Sequence, residues 1–302
     1  MSPKSINPYN GLLNINKPAG ITSHDVVNRV RRVLGQRRVG HAGTLDPAAT
    51  GILLVCVGQA TRLVEYLVPG TKIYQGTIRL GKSTDTYDSE GTITNETCAS
   101  HIDREMVAAA MESFTGQIEQ TPPAYSAVKR DGVPAYKLAR EGKEVHLPPR
   151  RIRIESFELL EWSQPELTFR ITCQSGTYVR SIAHDLGAAL EVGGCLESLC
   201  RTGSGSWRVE DALRLEELEQ AAEEDRLEGA IRPFSEILAD MPGVTISERD
   251  VARIGNGQGL NLEVEGQPEI LCARTEEGRL VAILVPEGEK KWRPKKVFPA
   301  TG

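Results

Sequence analysis

Apolar residues recur at helical spacing at Val26, Val27, Val30, Val33 and Leu34, behind a capping residue at Thr22 or Ser23 and ahead of a stop at Gly35. This pattern predicts a helix from about 22 to 34 that buries one side and turns Arg29 and Arg32 outward. A second helix is predicted over Asp103 to Phe114, with Met106, Ala109, Ala110 and Phe114 inward and Gly116 after it. A third begins near Val179 and carries Ile182, Leu186 and Leu190, with Gly187 weakening it. Strands announce themselves differently. Gly11 to Asn16 reads as a short strand ending in the turn Lys17-Pro18. The unbroken run Ile52 to Val57 reads as a buried strand, and Tyr74 to Leu80 alternates up to Gly81. Alternation returns at Ile152, Ile154, Phe157 and Leu159, and again at Leu167, Phe169 and Ile171.

Between these patterned regions, residues 117–150 hold Pro122-Pro123, Gly132, Pro134, Gly142 and Pro148-Pro149, the signature of a turn-rich insertion. Residues 210–231 are acidic and predicted helical. Pro233 and Met241-Pro242-Gly243 mark a linker. Beyond it, Glu269–Arg274 and Arg279–Val285 predict paired strands turning at Gly278, hence a small β domain. A chain of 302 residues exceeds what one core usually organises. The expected division is a domain of 1–240 followed by one of 241–302.

Composition adds little until charge is placed along the chain. The net charge of −5 argues against a nucleic-acid binder, yet its distribution reverses that. Arg29, Arg31, Arg32, Arg37 and Arg38 stand without an acid among them. Residues 129–153 hold eight Lys/Arg, and Lys290, Lys291, Arg293, Lys295 and Lys296 crowd together near the end. The compensating acid lies in 210–228, so basic surfaces for phosphate are expected on an acidic total. No apolar run approaches membrane-spanning length, and Met1–Ser5 lacks a signal core. The expectation is a cytoplasmic protein. Six scattered cysteines without ligand spacing predict reduced thiols, no metal site and no cofactor.

The densest chemistry lies in Gly40-His41-Ala42-Gly43-Thr44-Leu45-Asp46-Pro47-Ala48-Ala49-Thr50-Gly51. Pro47 pushes Asp46 out of helical conformation, while Gly43 and Gly51 allow sharp turns on either side. A carboxylate so fixed beside a buried strand needs a partner or a task. As an Asp-Pro pair alone it reads as a turn. The whole string closely resembles the catalytic motif of the TruB-type pseudouridine synthases, which isomerise a uridine in the T-loop of tRNA. Two further segments resemble family motifs, Lys72-Ile73-Tyr74 and Gly176-Thr177-Tyr178-Val179-Arg180-Ser181. A weaker match is Leu199-Cys200-Arg201-Thr202, where Cys200 replaces an arginine common in the family.

The resemblance implies an α+β fold: a mixed, mainly antiparallel central sheet flanked by helices, a basic thumb-like insertion at about 117–150, and a small PUA-like tail. It implies Asp46 as the catalytic carboxylate, by attack on the sugar, attack on the base, or proton abstraction. Arg180 would pair with it and Tyr74 would stack on the flipped base. His41, Tyr178, Leu199, Lys17 and Arg201 would contact substrate or RNA. The implied partner is tRNA, through its T-arm and acceptor stem, bound by a monomer. Two other classes share parts of this pattern. An RNA-binding module without catalysis would keep the charges but need no Asp46–Arg180 pair. A nucleoside hydrolase would join Asp46 to Asp85 or Asp88.

Overall fold

A computed structural model describes residues 9–298 apart from 131 and 267. Met1–Ser5, where the absence of a signal core was noted, lies outside the described residues. A central sheet runs in the order Gly11–Lys17, Thr50–Val57, Gly194–Ser204, Thr71–Leu80, Glu166–Gln174, Arg150–Ser163, Gly116–Gln120. Val39–Ala42 joins beside Thr50–Val57, and Trp207–Arg208 beside Gly194–Ser204. Its pairings are antiparallel except where Cys200 and Arg201 run parallel to Thr50 and Gly51. The class expected from the resemblance is therefore present: α+β with a mixed, mainly antiparallel sheet.

The run Ile52 to Val57 is apolar throughout because it feeds two cores. Leu53, Val55 and Val57 pack with Val26, Val27 and Val30 of the helix Ser23–Val33. Ile52, Leu54 and Cys56 face the other way, onto Cys272, Leu280 and Ile283 of a second sheet. A strand buried on both faces loses the alternation that a half-exposed strand shows. Thr71–Leu80 has that alternation, with Lys72, Tyr74, Gly76, Ile78 and Leu80 on the buried face. The third core lies under this face and takes in Phe169, Ile171, Ile182 and Leu186. Each such aliphatic side chain, once fully buried, is worth about 1.5–3 kcal/mol.

The helix Val179–Ala189 crosses this face and touches the strand Gly194–Ser204. Gly187 is the close-approach residue there: a Cβ would lie 2.1 Å from Gly194 N, so the weak helix former is a steric requirement. In the helix Arg104–Glu112 the buried residues are Val107 and Met111, while Met106 is exposed. Met106 and Ala109, expected inward, are exposed, while Ala110 and Phe114 pack inward as expected. The inward stripe is Val107, Ala110, Met111 and Phe114, rotated slightly round the helix by its packing on the sheet. The turn-rich insertion also starts later than expected: residues 117–120 belong to the edge strand Gly116–Gln120, paired with Arg150–Ile154. What projects is 121–149, with a small hairpin and the helix Ala135–Arg140. The second sheet, from Gly243 onward, has five strands ending in Lys291–Val297. Among the described residues no helix is long and apolar enough to cross a membrane.

Candidate active site

Asp46 sits in a loop riveted on both sides. Ahead of it, Ser23 Oγ donates to Leu45 O at 3.1 Å and accepts from Leu45 N at 2.9 Å. Behind it, Lys17 Nζ donates to Pro47 O at 3.0 Å, and also to Pro18 O and Ile21 O. From below, Arg201 donates to Ile52 O at 2.8 Å and Gly43 O at 3.1 Å. Gly43 and Gly51 both hold positive φ, at 87° and 96°. The loop backbone is thereby tied at the carbonyls of Gly43, Leu45 and Pro47, leaving the Asp46 side chain 44% exposed at its crest.

Lys17 and Arg201, the two cations expected to touch RNA, lie beneath the loop. Both are buried, and their donors are taken up by protein carbonyls, so they support the Asp46 loop from beneath. Burial pushes the Lys17 ammonium down to about 8, against the pull of Asp46.

Arg180, 7% exposed at its side chain, meets Asp46 with Nε at 2.9 Å from Oδ2. Its other nitrogens are also engaged. Nη1 lies 3.4 Å from Asp88 Oδ2 and donates to Thr86 O at 3.0 Å; Nη2 donates to Tyr125 O at 3.1 Å. A guanidinium held at every edge has one orientation, which it imposes on Asp46. Asp88, weighed from sequence only as a second carboxylate of a hydrolase, is a partner of Arg180. Its Oδ1 accepts from Thr86 Oγ1 at 2.5 Å and Glu90 N at 3.2 Å. The hydroxyl-rich string Thr84-Asp85-Thr86-Tyr87-Asp88 was the available signal, and only the fold shows which charge it faces. His184 and Asp185 form a pair at 3.0 Å, with the imidazole stacked on Tyr87.

Tyr74 lies on the same sheet face, opposite Arg201 in register and in one buried cluster with Leu45 and Ala49. Burial raises its phenol above the ordinary value. Leu199 pairs with Gly76 one step along and packs on that cluster. Tyr178 precedes the helix that carries Arg180, with the Arg150 guanidinium 5.7 Å over its ring. His41 stands on the flank of the loop, opposite Val55; its Nδ1 is buried without a partner among the described residues, and burial with Arg201 nearby lowers its pKa. The Asp46–Arg180 pair thus stands beside the cluster that holds Tyr74 and Leu199, with His41 and Tyr178 on adjoining segments; together they make up the candidate cleft.

The basic runs divide in the same way. In the first run Arg29 is bound to Glu216 and Glu219, Arg31 to backbone carbonyls and Arg38 to Thr61, while Arg32 and Arg37 are exposed. Lys129, Arg130, Lys137, Arg140, Arg151 and Arg153 are exposed on and beside the insertion.

Comparison with known families bears directly on this cleft. Residues 31–179 match the N-terminal domain of the TruB family pseudouridylate synthases, and residues 180–239 match the tRNA pseudouridylate synthase B C-terminal domain. The chain belongs to the TruB family of pseudouridine synthases. It is 45% identical to the tRNA pseudouridine synthase B of Dehalococcoides mccartyi over 96% of both chains. It is 48% identical to that of Symbiobacterium thermophilum over 82% of both. Among solved structures, an H/ACA ribonucleoprotein bound to a substrate RNA containing 2'-deoxyuridine has a similar chain. Its TM-score is 0.74 at 26% identity, covering 96% of this chain and 85% of that one. The TruB-family protein is accordingly an RNA pseudouridine synthase, an isomerase, and Asp46, the junction of its loop with Arg180, lies inside the matched N-terminal domain.

Proposed function

We propose that the protein converts a uridine in the T-loop of tRNA to pseudouridine, with Asp46 acting on the sugar or base of a flipped-out nucleotide. The observation that carries this reading is Asp46 Oδ2 held at 2.9 Å by the buried Arg180 Nε, in a loop that cannot swing. Isomerisation breaks the C1′–N1 bond, turns the uracil, and rejoins it through C5 with loss of the C5 proton. A fixed carboxylate can trap or stabilise the electron-poor centre left when N1 departs. Arg180 supplies the countercharge without entering the space above Asp46, because its remaining edges are bound to Asp88, Thr86 and Tyr125.

Tyr74 offers its ring as the surface on which an unstacked base rests, a contact worth about 1–3 kcal/mol. Its raised pKa keeps the phenol protonated at neutral pH, which favours stacking over a phenolate base. Leu199 supplies an apolar wall, and His41 and Tyr178 border the mouth where the displaced T-loop would rest. Exposed cations on 121–153 provide phosphate contacts for the T-arm. The protein acts in this reading as a cytoplasmic monomer, with the basic tail reaching the acceptor stem.

The test uses an unmodified T-arm stem-loop tritiated at uridine C5. Wild-type protein is expected to release tritium and leave pseudouridine at one site. Asp46→Asn is expected to release none while binding the RNA within a few-fold of wild type. An active Asp46→Asn enzyme would remove Asp46 from the mechanism. Free uracil in place of pseudouridine would favour the hydrolase class.

A further inference from the structure

The root of the insertion is fastened to the helix of Arg180 by one buried amide. Gln120 closes the edge strand Gly116–Gln120 and is 1% exposed. Its Oε1 accepts from Tyr178 N at 2.8 Å and its Nε2 donates to Tyr178 O at 3.0 Å. Tyr178 is the residue before the helix Val179–Ala189, and no side chain of its own segment caps that helix. Gln120 satisfies both backbone groups of the cap residue from another element, as a neighbouring strand would. The next ties repeat the pairing: Ser181 Oγ donates to Thr121 O at 3.0 Å, and Arg180 Nη2 to Tyr125 O at 3.1 Å. Residues 120, 121 and 125 thus hold residues 178, 181 and 180.

We propose that Gln120 is a positioning residue for the reaction, setting the start of the Arg180 helix and through it the place where Arg180 holds Asp46. The proposal rests on the Asp46–Arg180 reading given above. The amide is the required chemistry. A carboxylate at 120 would face the Tyr178 carbonyl without a donor, and an apolar chain would leave the Tyr178 N–H buried and unpaired. Gln120 touches neither Asp46 nor Arg180, so its loss should reach the rate through geometry, and any effect on RNA affinity, through Tyr178 and the insertion, should be smaller than the effect on the rate. Misplacement of a reacting group by about 1 Å costs on the order of a hundred-fold in rate.

The experiment is single-turnover pseudouridine formation on the T-arm stem-loop at saturating enzyme, with RNA affinity measured in parallel. Gln120→Met is expected to slow the reaction about 10–100-fold at saturating enzyme, in line with such a displacement, with the Kd weakened by much less than the rate. In an Arg180→Lys background the same substitution should add less than about three-fold, because the geometry it protects is already lost. Gln120→Glu should regain rate relative to wild type as pH falls, since a protonated carboxylic acid both donates and accepts like the amide. That variant carries the test if Gln120→Met fails to fold. Wild-type rates in both variants, equal losses in both backgrounds, or weakened binding at an unchanged rate would each overturn the proposal. Asp46→Asn separates the two levels. If it is inactive while the Gln120 variants are normal, only the role of Gln120 falls; if it is active, the reading of the cleft falls with it.

Discussion

Two buried lysines show how differently one side chain can be spent. Lys17 gives each of its three N–H donors to a carbonyl around the Asp46 loop. Lys72, two residues before Tyr74 on the same sheet face, has a buried Nζ with no partner among the described residues. Burial lowers both ammonium groups from 10.5 to about 8. For a cation whose folded pKa is depressed, the folded state releases its proton first. Its cost is therefore fully present below pH 8, and stability is regained as pH rises from about 8 to 10.5. Replacing Lys72 by the apolar, similarly long Met removes an unsatisfied buried group, a gain on the order of 1–3 kcal/mol. Lys72→Met should melt higher than wild type at pH 7, with the difference shrinking as pH rises through 8 to 10. A lower melting temperature at pH 7 would mean that the amine has a role in folding that its surroundings do not reveal.

At the scale of elements, the Asp46 loop depends on the place where the strands Thr50–Val57 and Gly194–Ser204 run parallel. Gly51 sits at that crossing with φ 96°, and a Cβ there would lie 2.3 Å from Arg201 O. Gly43, at φ 87°, would place a Cβ 3.5 Å from the end of the Arg201 side chain. Gly43→Ala should cost about 1–3 kcal/mol of backbone strain. Gly51→Ala should cost more, because two strands must also part. Thermal melts check the order, and activity should follow it; equal losses would deny the close approach its importance. The loop was legible in the sequence because its constraints are local, with Pro47 and the two glycines adjoining Asp46. Arg180 was legible through its motif and would otherwise have passed for an exposed helix start. Ser23, Asp88 and Gln120 were not, because each acts on a residue at least 22 positions away through geometry that no local pattern encodes. The inward face of the 104–112 helix was missed at Met106 and Ala109 for the same reason: its packing on the sheet, far off in sequence, decides which neighbouring residues are buried.

Across the whole molecule, the second sheet shares its core with the first. Cys272, Leu280, Ile283 and Phe298 bury against Leu12, Ile52, Leu54 and Leu63, and Arg62 donates to Val297 O. Cutting the chain near Pro242 would uncover the strand that supports the Asp46 loop, so loss of tRNA binding after truncation would not report on tail contacts. Surface charge gives the cleaner test. On the last strand Lys291 and Arg293 are exposed and Trp292 is buried, while Lys295 and Lys296 are paired with Glu65. Lys290 and Lys291 sit in exposed ion pairs with Glu263 and Glu287, contacts that solvent screens and a phosphate can displace. Replacing Lys290, Lys291 and Arg293 together by Gln leaves the shared core intact. If this edge meets the acceptor stem, the triple variant should bind full-length tRNA several-fold more weakly, with a salt dependence shallower by about two to three ions. Its affinity for the isolated T-arm hairpin should not change. Equal weakening on both RNAs would place these cations on the T-arm, and no weakening on either would leave the 121–153 cations as the phosphate-binding surface.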